Sequence, residues 1–152
     1  MYELRPIGFV ESSLADRESA PMQPDEGAPE AWLAFKPEVA DGLRDLEIGA
    51  DVLLFTWLHE SDRSVLTTRP RGDANRPETG VFNTRSPDRP NPIGLHRVTI
   101  TAIDGLRVRV SHLEAIHGTP IADLKPVIGG IPDRYGVRRS PLGRSDAPNP
   151  TG

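Results

Sequence analysis

Between residues 80 and 95 the chain reads GVFNTRSPDRPNPIGL, which sets Arg85, Arg89 and Asn91 among Pro87, Pro90 and Pro92. Proline fixes φ near −65° and biases the residue before it toward extended backbone. Such a segment has little freedom left to lose, so it suits a rigid loop that presents guanidinium and amide groups to an anionic or polar ligand. Each proline also removes a backbone donor, which makes the segment a poor core element. A stiff surface loop whose arginines pair with Asp88 or Glu78 satisfies the same residues. Asn91 fits two roles as well, orienting a ligand or closing an Asx-turn.

Other polar residues capable of chemistry lie downstream and upstream. His59 and Glu60 follow the apolar run DVLLFTWLH and mark a strand's exit from the core. Glu114 to His117 precede Gly118-Thr119-Pro120, and a carboxylate there can oppose a positive charge or bond a hydroxyl. The loop motif DLKP carries Asp123 and Lys125, which form either an ion pair or part of a site. His96 directly follows the proline-rich stretch and is a candidate base or a satisfied structural histidine.

Two of these segments together, RSPDRPNPIG and HGTPIADLKP, resemble the paired signature of the TrmO/YaeB (TsaA-like) family. The resemblance spans about residues 7 to 132. It implies an S-adenosylmethionine-dependent methyltransferase acting on a tRNA adenosine next to the anticodon. It further implies a mainly β, barrel-like single domain, and a homodimer whose pocket lies near the subunit interface. By the same resemblance Gln23, His59, Glu60, Arg85, Leu95, Glu114, Ala115, Ile116 and His117 contact the cofactor. Arg89 and Lys125 contact the substrate, and Asn91 and Asp123 are candidates for the chemistry; His96, where many relatives of that family carry serine, is a candidate on its own residue type. The family's Pro-Arg-Gln loop is Pro21-Met22-Gln23 here, so Met22 removes one positive charge from it. The tyrosine that follows the DLKP proline in the family is Val127.

Several other classes find no support. There is no Gly-x-Gly-x-x-Gly, no P-loop and no Gly-x-Ser-x-Gly elbow. The four histidines (59, 96, 112 and 117) lack His-x-His or His-x-x-x-His spacing, so no metal site is expected. With no cysteine, disulfides and thiolate ligands are excluded. No run of 18 apolar residues occurs and the first residues, MYELRPIGFV, do not follow a signal-peptide plan, so a cytoplasmic protein is expected. The net charge of −4 argues mildly against nucleic acid, but its distribution is uneven. Between residues 63 and 97 seven arginines (63, 69, 71, 76, 85, 89 and 97) face three acids, giving a local +4. That pattern fits a local anion site better than a basic surface.

The elements that must position these residues are mostly strands. A chain of 152 residues with 14 glycines and 16 prolines favours a loop-rich β domain with one or two short helices. Residues 3–10 read as a strand and 11–30 as a polar loop broken by prolines. Pro37 opens a short helix over 37–46, with Val39, Leu43 and Leu46 at helical spacing. Residues 51–59 form the central strand, 65–68 continue the sheet, and 72–79 form a loop. Residues 93–103 and 106–113 make a hairpin around Asp104-Gly105, a pair favoured in type I′ turns. That register pairs Ile103 with Leu106, Thr99 with Val110, Arg97 with His112 and Leu95 with Glu114. The two signature segments then emerge side by side. The domain is expected over residues 1–132, followed by a polar tail at 133–152.

Three alternatives stand beside a tRNA methyltransferase. They are a methyltransferase acting on a small molecule, a non-catalytic module binding S-adenosylmethionine or a nucleoside, and a tRNA-binding protein without cofactor.

Overall fold

A computed structural model describes residues 1–16, 27–69 and 73–129. Eight strands occur in it: β1 Gly8–Glu11, β2 Ala31–Phe35, β3 Asp51–Trp57, β4 Thr67–Thr68, β5 Thr79–Gly80, β6 Ile93–Asp104, β7 Arg107–Val110 and β8 Pro120–Pro126. Six of them close into a barrel-like ring in the order β1-β2-β7-β6-β3-β8, every neighbouring pair antiparallel.

Alternation along the strands fills the ring. β3 turns Val52, Leu54 and Thr56 inward, and β6 turns in Gly94, His96, Val98 and Ile100. Together with Val10, Leu33, Val108, Val110, Leu113 and Ile121 these residues form the core, nearly all with no solvent contact. Full burial of such side chains contributes ~1.5–3 kcal/mol each, so the inside of the ring is the main source of stability. Only two inward positions are polar on strands, Thr56 and His96.

The expected central strand is confirmed: β3 pairs with β6 on one side and β8 on the other. The first expected strand is shifted, to Gly8–Glu11. The expected helix is a 3-10 helix at Pro37–Leu43, with proline in its first turn. It packs over the end of the ring remote from the signature loop, above a cavity of about 280 Å³ lined by Val39, Leu43, Val52 and Leu124 among others. Residues 67–68 do not continue the main sheet, because β4 pairs only with β5 in a separate two-stranded ribbon. DLKP lies in strand β8 and not in a loop. β2 occupies residues to which the sequence reading gave no element.

The hairpin is present with a different register. Its turn is Gly105-Leu106, so Asp104 pairs with Arg107 and Ile103 with Val108. Gly105 takes φ 62°, the positive value required at the first central position of a type II′ turn. A bulge between Ile100 and Ala102 then sets Ile100 opposite Val110. His112 leaves the strand at φ 21° and sets its Nδ1 2.9 Å from the Ala28 carbonyl oxygen, not opposite Arg97.

Candidate active site at the open end of the ring

The proline-rich loop is built against the exit of β3. The amide of Leu58 donates to Pro92 O (2.8 Å), and the amide of Asp62 to Asp88 Oδ1 (2.8 Å). Arg63 Nε donates to Pro90 O at 2.6 Å, Nη2 donates to Asn91 Oδ1 at 3.1 Å, and the guanidinium lies 5.2 Å from the Trp57 ring centroid. Arg89 turns back on the loop itself, donating to the carbonyls of Val81, Thr84 and Ser86. Because prolines cannot donate, these side-chain and neighbouring-segment donors carry the cross-links that hold the loop.

From this loop β6 enters the ring, and its second inward residue is His96, 4% exposed. His96 Nδ1 is 2.8 Å from Glu114 Oε2, and Nε2 is 2.8 Å from Thr56 Oγ1. A carboxylate only accepts, so Nδ1–H donates to Glu114, and Nε2 shares a hydrogen bond with the Thr56 hydroxyl, which can either donate or accept. Gly94 makes room for this chain: a Cβ at that position would collide with Thr56 Oγ1 and His96 Nε2. The other carboxylate oxygen, Glu114 Oε1, is buried without a hydrogen-bond partner among the described residues. Such an atom carries a desolvation cost of ~1–3 kcal/mol unless a ligand satisfies it.

Residues 113–119 run along the rim of this end. Leu113, Ala115 and Ile116 are buried, the amide of His117 donates to Leu14 O (2.7 Å), and that of Gly118 to Val10 O (2.7 Å). The His117 ring accepts the Ser12 amide at Nδ1 (3.2 Å). The two signature segments are therefore neighbours, joined by His96 and Glu114 in place of the expected Leu95 and Glu114.

The remaining expected site residues divide by location. His59 and Glu60 lie just past β3, exposed, 3.9 Å apart. Leu95 is on the outer wall opposite Phe55, 39% exposed. Asp123 and Lys125 are also on the outer wall, where Nζ sits 3.3 Å from Asp123 Oδ2. Gln23 and Met22 lie outside the described residues.

The local excess of arginine resolves into one free guanidinium. Arg63 and Arg89 bind the loop, Arg69 donates to Arg76 O, Arg76 pairs with Asp73, and Arg97 with Asp51. Arg71 lies outside the described residues. Among those described, Arg85 is exposed and makes no hydrogen bond or ion pair. Arg63 was invisible as a site residue in the sequence, since its partners are 27 and 28 positions away.

This closed β ring, with a proline-braced loop and a buried His–Glu pair at one end, is a fold that known proteins share. A crystal structure of TrmO from Pseudomonas aeruginosa superposes with a TM-score of 0.67 at 28% identity, covering 90% of this chain and 62% of that one. The model of the tRNA-methyltransferase O N-terminal domain matches residues 9–131, and the chain belongs to that family. A protein of Methanothermobacter thermautotrophicus described as a probable S-adenosyl-L-methionine-binding protein is 39% identical over 81% of this chain and 88% of its own length. The human tRNA (adenine(37)-N6)-methyltransferase is 30% identical over 81% of this chain and 29% of its own length.

Proposed function

We propose that this domain binds S-adenosylmethionine at the open end of the ring and methylates the N6 nitrogen of threonylcarbamoyladenosine at position 37 of tRNA. The observation that carries the reading is Glu114 Oε1, a buried acceptor with no partner among the described residues, close to both signature segments. It fits a ribose hydroxyl or the region of a positive sulfonium, and Arg85 offers a free guanidinium for a carboxylate. The family and the names of the relatives support the same cofactor.

When bound, S-adenosylmethionine supplies an electrophilic methyl group. What the chain supplies is placement, since an in-line transfer gains most from holding acceptor and methyl in one geometry. The proline-braced loop contributes rigidity, with Arg89 and Arg63 fixing its path. Residues 113–119 shield the site from water. The N6 nitrogen must also lose a proton; both nitrogens of the buried His96 ring are engaged, by Glu114 and Thr56, so in this reading the imidazole holds Glu114 in place rather than taking that proton.

The outer wall around Phe55, Ile93 and Leu95 remains partly apolar and exposed, which supports a homodimer formed across it. None of the described helices is long and apolar enough to cross a membrane, and a tRNA substrate assigns the work to the cytoplasm.

Transfer of labelled methyl from S-adenosylmethionine to total tRNA from cells lacking this protein tests the reading. Label in N6-methylated threonylcarbamoyladenosine is the expected result. Cofactor binding with no labelled nucleoside would sink the tRNA assignment. The net charge of −4 would then direct the search to small-molecule acceptors.

A further inference from the structure

Arg63 carries information about Asn91 that the signature itself does not. An asparagine amide has an oxygen end that accepts and a nitrogen end that donates, and the two are often interchangeable in a structure. Here the neighbour decides. Arginine has five N–H donors and no acceptor, so only the amide oxygen can face Arg63 Nη2 at 3.1 Å. The reverse orientation would set NH₂ against N–H. The guanidinium cannot swing away freely either, since Nε is held by Pro90 O at 2.6 Å and its plane lies over Trp57.

With Oδ1 engaged, the exposed end of Asn91 is its NH₂ group, which makes no hydrogen bond among the described residues. We propose that Arg63 is a positioning residue that fixes the Asn91 amide, and that Asn91 acts as a hydrogen-bond donor to its ligand. The group it meets is a lone-pair acceptor: a carbonyl or carboxylate oxygen, or an unprotonated ring nitrogen. Asn91 therefore takes no proton from the methylated nitrogen and acts by orienting what it binds. The proposal rests on the methyl-transfer reading for the identity of that ligand, but not for the orientation of the amide.

Two measurements test it, and the first needs no ligand. Side-chain ¹⁵N relaxation should show a rigid Asn91 NH₂ group in the full chain and a mobile one in Arg63→Ala. A rigid NH₂ in that variant would overturn the positioning role. The second is methyl transfer to total tRNA together with calorimetry of S-adenosylmethionine binding. Asn91→Asp keeps the oxygen that Arg63 needs and replaces the donor by an acceptor, so it should fold normally and lose tenfold or more in kcat/KM. Where the acceptor is on the cofactor, S-adenosylmethionine affinity falls; where it is on the RNA, KM for tRNA rises. Arg63→Ala should lose about five- to tenfold alone and almost nothing further in an Asn91→Ala background. Full activity in Asn91→Asp, or independent losses in the double variant, would refute the proposal. A wild-type chain that transfers no methyl to tRNA would instead refute the tRNA assignment and leave the relaxation experiment to judge this one.

Discussion

His96 Nδ1 sits 2.8 Å from Glu114 Oε2 and so ties the inside of β6 to the segment that closes the ring. The pair joins residues next to the two signature motifs of the chain through one buried imidazole, with Thr56 holding its far side. Thr56→Val preserves the shape of the strand and removes that hydroxyl, leaving His96 Nε2 buried and unpartnered. The expected loss is ~1–3 kcal/mol in urea unfolding, and Thr56→Ser should recover most of it. Equal stability of all three chains would show that the hydroxyl contributes nothing.

Gly94 lies where any side chain would meet this hydrogen-bonded chain. Gly94→Ala should cost ~1–3 kcal/mol, the usual range for overpacking. It should also weaken S-adenosylmethionine binding by displacing His96 from Glu114. Gly42, with open space around its Cβ position, gives the control: Gly42→Ala should leave binding unchanged.

Arg89 donates only to carbonyls and a hydroxyl of its own loop region. Arg89→Ala should raise amide hydrogen exchange across residues 81–90 and leave exchange in the core strands unchanged. Slow exchange retained in that stretch would mean the prolines alone hold the loop.

Arg85 is the one described guanidinium of its region without a partner. Removing a charge-assisted hydrogen bond costs ~1.5–3 kcal/mol, so Arg85→Ala should weaken S-adenosylmethionine binding by roughly ten- to a hundredfold in calorimetry. Unaltered affinity would end its assignment as a carboxylate clamp.

Asp51 ties β3 to β6 from the outside. The hydrogen bond from Thr99 Oγ1, and then the Arg97 guanidinium, hold its carboxyl below the ordinary carboxylate value. A lowered folded-state value stabilises the fold above the unfolded value of about 3.9. That contribution fades as pH falls through the lower, folded-state value. The stability gap between wild type and Asp51→Asn should therefore be constant near neutrality and shrink below about pH 4. A gap independent of pH would locate the effect elsewhere.

The sequence was most legible where alternation was long. β3 stood out as the longest apolar run, and the β6–β7 hairpin through alternation on either side of Asp104-Gly105. β2 is only five residues, AWLAF, squeezed between a proline-broken loop and a helix signal. β8 was read as a loop because Asp123 and Lys125 face outward and prolines bound the strand, and a bulge near Thr56 breaks its phase. The hairpin register turned on which residue accepted a positive φ, and Gly105 rather than the Asp-Gly pair set it. At the site, Glu114, His96 and Asn91 were singled out by type and place. Thr56 and Arg63 were not, because their roles exist only after strands distant in sequence are brought together.

The ring is sealed sideways: each of its six strands already has a neighbour on both flanks. Another polypeptide cannot extend it by adding a strand, the route by which open sheets grow into fibrils or swap segments. A contact along the wall of the ring would have to run through outward side chains such as Phe55 and Leu95, not through backbone pairing. The same sealing leaves only the two ends for traffic into the interior, and the 3-10 helix covers one of them. The loops at the other end can therefore carry sequence variation that the wall itself cannot absorb, since a change there leaves the strand pairing intact.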